Sequence, residues 1–294
     1  MIILSVIELL LSAGKVITIA MYLWPDKNIF MSSILFEIKN SVAYITLNRP
    51  EKFNSFNREM ALLMQAKLDE AASLHEVRAV YITSTGKAFC AGQDISELAP
   101  SQPPPKGEEI TIAKILGEHY NPIVTRIRNM PKPVVAAVNG VAAGAGANIA
   151  LCCDVVVATA SASFIQAFSK IGLIPDSGGT FTLPRLIGWQ KASALMMTGD
   201  KVTAADAEKM GMIYKVFEDE NFEEASKKIV QSLSQMPTKG LAFTKHALNQ
   251  SFVSTWEEQL SIEDEYQQKA ANTADYAEGI NSFLEKRNPR FTGK

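Results

Sequence analysis

Between Leu35 and Phe217 short β-rich runs alternate with helical stretches, and from Phe222 to about Arg287 only the helical pattern remains. That order dictates an α/β core with a helical tail. Interleaved strands and amphipathic helices cover one another in layers, whereas a long strandless run packs outside the sheet. Leu35 to Ile38 and Val42 to Leu47 flank the polar Lys39-Asn40-Ser41 and read as a hairpin. A helix follows from about Asn57, with Met60, Leu63, Met64, Leu68 and Ala71 marking its apolar face. Ala79 to Ile82, Val134 to Val138, Asp154 to Ala158 and Met212 to Phe217 are the further strands. A long helix is expected over Ile110 to Arg128, after a Pro-rich surface segment from Pro100 to Lys106. Thr203-Ala204-Ala205-Asp206 resembles a capping box opening a short helix that Gly211 closes.

Length and composition set the limits. With 294 residues, 47% of them hydrophobic, the chain can bury a large core. Lys and Arg total 29 against 31 for Asp and Glu, so the net charge of -2 gives no general attraction to nucleic acid or anionic membrane. Cys90 and the adjacent Cys152 and Cys153 form no framework of spaced pairs, which favours small buried thiols in a reduced, cytoplasmic setting. Met1 to Trp24 is apolar but carries Glu8 and Lys15, each costing about 2.5 to 3.5 kcal/mol near a bilayer centre. It lacks the basic start and small-residue cleavage site of a signal peptide. The preferred organisation is therefore an apolar extension over 1–30, an α/β core over 31–221 and a helical region over 222–294. An amphipathic anchor helix is the alternative for the first part.

Asp176 is the only acidic residue between Asp154 and Asp200, and it sits in the turn Ile174-Pro175-Asp176-Ser177-Gly178-Gly179. Two readings stand side by side. A carboxylate among apolar neighbours is desolvated, which favours its neutral form and moves its pKa up, towards values useful for proton transfer near neutrality. Equally, Pro-Asp-Ser-Gly-Gly is an ordinary turn in which Asp bonds the backbone two residues on. The three histidines, His75, His119 and His246, are widely spaced in helical stretches and read as structural, with no cluster that would hold a metal. Gly-x-Ser-x-Gly is missing, and Gly144-Ala145-Gly146 lacks the third glycine of a dinucleotide loop. What remains is a pair of glycine-flanked loops, Cys90 to Asp94 and Gly144 to Asn148, each between a strand and a helix. Unpaired backbone N–H groups at two such junctions, if they converge, hold a negatively charged oxygen. The plainer alternative is that these glycines only permit tight turns.

The segments Asn48-Arg49-Pro50-Glu51-Lys52-Phe53-Asn54, Ala88 to Ile95, Asn139 to Asn148 and Phe283-Leu284-Glu285-Lys286-Arg287 together resemble the crotonase (enoyl-CoA hydratase/isomerase) superfamily. The resemblance runs from about Leu35 to Lys294. It implies a crotonase-type spiral of ββα units with a C-terminal helical trimerisation region, hence a homotrimer or a dimer of trimers. It implies an acyl-CoA substrate whose thioester oxygen is held by the main-chain N–H groups of Gln93 and Ala145. Along the CoA it places Lys52, Phe53, Ala91, Gly92, Asp94 and Ile95, with Phe283 and Lys286 also reaching a CoA. Lys52 and Lys286 either pair with CoA phosphates or are solvated surface. Glu118 is either a second proton carrier or a solvated helix residue. No metal or redox cofactor is implied, CoA being part of the substrate.

Where this chain departs from the family pattern, the chemistry narrows. The two glutamates of the hydratases fall at Asn148 and Phe168, and neither can act as a base. Asp176 falls where the isomerases and dehalogenases of the superfamily carry an aspartate. The resemblance therefore implies isomerisation by Asp176 through a thioester enolate. The runs Phe164 to Gly179 and Pro289 to Lys294 look most like members that isomerise ring-epoxide thioesters. A Δ3,Δ2-enoyl-CoA isomerase is the alternative, ahead of a hydratase.

Overall fold

The structure, a computed structural model, describes residues 32–98 and 111–294. The apolar extension over 1–30 and the Pro-rich segment Pro100 to Lys106 lie outside the described residues. Within 33–294 the chain runs through repeated strand–strand–helix units. β1 (Ile34–Lys39) and β2 (Val42–Leu47) form the hairpin and lead to helix α1 (Arg58–Ser73). β3 (Ala79–Ser84) and β4 (Ala88–Cys90) precede α2, a continuous helical stretch over 112–129. β5 (Val134–Val138) and β6 (Val141–Ala143) precede α3 (Ala145–Leu151), and β7 (Val155–Thr159) and β8 (Ser163–Ile165) precede α4 (Gly179–Ile187). The first strand of each later unit enters a six-stranded sheet, the second a four-stranded one.

The large sheet has the order β1-β2-β3-β5-β7-β10 and the small one β4-β6-β8-β9, where β9 is Lys201–Thr203 and β10 is Lys215–Phe217. β2, β3, β5, β7 and β10 pair in parallel, and the β1–β2 hairpin adds an antiparallel edge. Parallel strands buried on both faces read as unbroken apolar runs rather than alternating ones. β5 shows this, with Val134, Ala136 and Val138 in the main core and Val135 and Ala137 in a second cluster on the opposite face. That second face is closed by Phe222 and Val230 of α7 (Phe222–Ser234). Each such side chain, fully buried, contributes about 1.5 to 3 kcal/mol.

After α4 come α5 (Trp189–Thr198) and α6 (Ala204–Lys209), and the helical tail continues after α7 as α8 (Thr238–Ser251), α9 (Trp256–Ala271) and α10 (Ala274–Leu284). An ion pair with a buried lysine ties α8 to the core. Lys245 Nζ lies 2.8 Å from Asp154 Oδ2 and also donates to the Ile127 carbonyl at 2.7 Å, while Asp154 accepts the Val134 N–H at 2.8 Å. Beyond it, α9 buries none of its residues, and Trp256, Tyr276, Phe283 and Leu284 are exposed. Among the described residues no helix is long and apolar enough to cross a membrane.

Several local expectations need correction. β10 starts at Lys215 rather than Met212, because the Met212 N–H caps α6 by donating to the Ala207 carbonyl. At Thr203 the hydroxyl accepts the Asp206 N–H, but the Asp206 carboxylate bonds that hydroxyl and not the Thr203 backbone, so the box is not reciprocal. A reciprocal capping box does occur at Thr255 and Glu258. His75 lies in the turn after α1, not in a helix. The segment Ile115–Tyr120 inside α2 is π-helical, a geometry that recurs at functional sites.

Candidate active site

Three chain segments meet at one apolar cavity of about 450 Å³. The first follows β4. There Phe56 donates its N–H to the Gly92 carbonyl at 2.7 Å and accepts the Asp94 N–H at 2.8 Å, a single parallel bridge. A parallel bridge uses the groups on either side of the middle residue and leaves that residue's own N–H turned away from the partner strand. The middle residue is Gln93. The second segment is the β6–α3 junction, where Ala145 is the first helical residue and its N–H has no partner one turn back. Among the described residues neither the Gln93 nor the Ala145 N–H meets a protein acceptor.

Glycine brings these two segments together. Gly92 has φ 90°, and a Cβ there would stand 3.1 Å from the Ala143 carbonyl oxygen and 3.5 Å from the Ala145 nitrogen. At Gly146 an added Cβ would fall on the Cys90 carbonyl and 2.6 Å from the Cys90 Cβ. Both loops are therefore packed backbone against backbone, which only a residue without a side chain allows.

The third segment is the turn before α4. Ser177 and Gly178 both take left-handed backbone geometry, with φ 52° and 76°, and the Gly179 N–H donates to the Asp176 carbonyl at 2.8 Å. The Asp176 side chain borders the cavity and is half-buried. Desolvation raises its pKa, opposed in part by the Ser177 hydroxyl, which donates to Asp176 Oδ1 at 2.8 Å. No cation faces it in an ion pair among the described residues. The segment is a turn, as the plainer reading has it, but the Asp176 carboxylate bonds the Ser177 hydroxyl rather than the backbone two residues on.

Further lining comes from α2 and from Phe168. Ile115, Leu116 and Tyr120 line the cavity from the π-helical segment, and Phe168 lies under Gly144, whose Cβ would be 3.8 Å from the Phe168 ring. Tyr120 is buried, packs edge-to-face on Phe56 with centroids 6.1 Å apart, and donates to Gln93 Oε1 at 3.0 Å. Burial raises its pKa well above the usual phenol value, with the Cys90 and Asp176 charges adding to the shift. Gln93 Nε2 in turn donates to Glu97 Oε2 at 2.9 Å, so the side chain is held at both ends. Tyr120 did not stand out in the sequence, where it is one more apolar position on a helix.

The residues singled out from the sequence divide cleanly. Ala91, Gly92, Gln93, Ile95, Ala145 and Asp176 line the cavity. Lys52, Phe53, Asp94, Phe283 and Lys286 do not. Phe53 and Phe283 are solvent-exposed, Phe283 at 82% on the last turn of α10. Asp94 is buried and turned the other way, 3.0 Å from Arg49 Nη2 and 2.6 Å from the Ser96 hydroxyl. Desolvation pushes the Asp94 pKa up, but the Ser96 and Arg49 hydrogen bonds outweigh it and hold the group below the usual value. Glu118 lies outside the cavity lining and faces Arg58 at 4.0 Å. Cys90, Cys152 and Cys153 are buried free thiols, and burial pushes the Cys90 pKa up to about 12.

The family model for enoyl-CoA hydratase/isomerase matches residues 37–294. The chain belongs to that family, has its crotonase fold and is an enzyme of its isomerase kind. It is 42% identical to the 1,2-epoxyphenylacetyl-CoA isomerase of Escherichia coli, over 90% of this chain and all of that one. It is 40% identical to a probable enoyl-CoA hydratase of Rhodobacter capsulatus, over 89% of this chain and 98% of the other. Among solved structures, the enoyl-CoA hydratase of Bacillus anthracis superposes with a TM-score of 0.83 at 28% identity, covering 90% of this chain and 100% of that one.

Proposed function

We propose that the chain isomerises 2-(1,2-epoxy-1,2-dihydrophenyl)acetyl-CoA to oxepin-CoA by proton transfer through a thioester enolate. The observation that carries the reading is Asp176, a carboxylate with a raised pKa and no ion-pair partner among the described residues, bordering the same cavity as the Gln93 and Ala145 N–H groups. In this scheme the two N–H groups hold the thioester oxygen as it gains charge, each donor being worth about 2.7 to 4 kcal/mol of barrier. Asp176 takes the proton from the carbon next to the thioester. The carbon–carbon bond shared by the epoxide and the six-membered ring opens, the oxygen keeping both its bonds, and Asp176 returns the proton further along the conjugated system. Atoms balance without a redox partner or metal, because the thioester carbonyl is the electron sink. The 42% identity with the Escherichia coli isomerase supports the choice of acyl group.

Water addition is disfavoured, since Asn148 and Phe168 leave no second carboxylate there to activate a water. CoA is read along Ala91 to Ile95 and near Lys52 and Phe53, with the Asp94 contribution confined to its backbone because its carboxylate is committed to Arg49. The exposed apolar residues of α9 and α10 support assembly as a trimer or a dimer of trimers, in which Phe283 and Lys286 reach a CoA.

Turnover of a panel of CoA thioesters tests the reading, comprising the ring epoxide, 3-hexenoyl-CoA and crotonyl-CoA, with Asp176→Asn as control. Turnover of the epoxide, lost in Asp176→Asn, is the expected result. Preference for 3-hexenoyl-CoA would make the protein a Δ3,Δ2-enoyl-CoA isomerase, and hydration of crotonyl-CoA at full rate would exclude both isomerase readings.

A further inference from the structure

We propose that Asn148, locked by Gln166, is a positioning residue that holds the Asp176 turn at a fixed offset from the Ala145 N–H. The proposal rests on Asp176 being the base and adds the device that places it.

The Asp176 carbonyl accepts two hydrogen bonds. One comes from the Gly179 N–H within the turn, and the other from Asn148 Nδ2, at 2.8 Å, which reaches across from α3. Asn148 is 1% exposed and sits three residues after Ala145, so one short helix carries an N–H of the oxyanion site and the clamp on the base. A rigid α3 thus converts two separate loops into one spacing.

The orientation of the clamp follows from donor and acceptor logic. A carbonyl oxygen only accepts, so Asn148 must present its NH₂ to Asp176 and its oxygen to the other side. There Gln166 Nε2 donates to Asn148 Oδ1 at 2.8 Å, which removes the freedom of the Asn148 amide to flip. Gln166 is itself buried, and among the described residues no protein group meets its Oε1. Packing seals the arrangement. A Cβ on Gly179 would lie 2.7 Å from Asn148 Cγ, so the turn seats directly on the amide. The turn needs such a hold because Ser177 is a non-glycine residue at φ 52°.

A base displaced by about 1 Å loses on the order of 100-fold in rate while ground-state binding is little changed. The test measures kcat and KM for Asn148→Ala, Asn148→Asp and Gln166→Met, with Asp176→Asn alongside and melting temperatures recorded for all. The substrate is the epoxide thioester, or 3-hexenoyl-CoA if that is the ester turned over. Asn148→Ala is expected to lower kcat about 10- to 100-fold with KM within about threefold. Asn148→Asp, which sets a carboxylate oxygen against the Asp176 carbonyl, should lose more, and Gln166→Met less. A folded Asn148→Ala with kcat within twofold of the parent, or with only KM raised, overturns the proposal while an inactive Asp176→Asn leaves the base reading standing. Full turnover by Asp176→Asn overturns the base reading instead. If Asn148→Ala fails to fold, Gln166→Met decides on the same criteria.

Discussion

Asp94 and Asp176 have opposite fates. Asp94, one residue beyond Gln93, is paired with Arg49, bonded to Ser96 and held below the usual carboxylate pKa. Asp176, on the cavity lining, accepts from the Ser177 hydroxyl and has a raised pKa. Both are substantially desolvated, so burial alone does not separate them. The difference lies in compensation. A carboxylate that is fully compensated becomes a structural rivet, and one that is under-compensated is poised to take a proton.

The largest expected effect breaks the comparison from the catalytic side. Asp176→Asn keeps the shape and the Oδ1 acceptor for Ser177 but cannot take a proton, so kcat should fall by about 10² to 10⁴ in a steady-state assay. From the structural side, Asp94→Asn leaves the Arg49 guanidinium, only 16% exposed in its side chain, without a counter-charge. Denaturant unfolding should register a loss of about 3 kcal/mol, the lower end of the range for breaking a buried pair. A smaller effect sharpens the contrast by pH. Asp176 binds its proton more tightly folded than unfolded, so kcat/KM should fall as pH drops through a midpoint above the ordinary aspartate value. The Asp94 contribution to stability has the opposite sign, being present above the unfolded pKa and lost as pH falls through its depressed folded value. The smallest effect is on melting. Asp176→Asn removes a desolvated charge and should raise the melting temperature slightly at pH 8, the gain shrinking towards acid pH as the native carboxyl protonates.

The same contrast explains what could be read from the sequence. Asp176 was legible because no other acid lies within twenty residues on either side and its neighbours are apolar, which is a local property. The large sheet was legible because Val42–Leu47, Ala79–Ser84 and Val134–Val138 are long enough to show their apolar character. The four-stranded sheet was not, since its strands are three residues each and no period can be seen in three residues. The oxyanion loops were visible as glycine-rich junctions, but their convergence depends on Gly146 meeting Cys90, a contact across 56 positions. The family resemblance places Asp94 along the CoA, and nothing local in the sequence reveals that its carboxylate pairs with Arg49, 45 residues away. Gln166 and Tyr120 carried no signal at all, as a single polar residue in a strand–helix link and an aromatic on a helix are ordinary. Their roles arise from what the fold sets opposite them.

The division of labour around the cavity has an evolutionary corollary. In the proposed reading the chemistry is set by two backbone N–H groups, after β4 and at the start of α3, and by the Asp176 carboxylate before α4, whereas side chains of α2 and Phe168 line the rest of the cavity. Drift in those wall residues can therefore retune which thioester is accepted while the proton-moving apparatus stays in register. A lineage built this way diversifies its diet without having to reinvent its reaction.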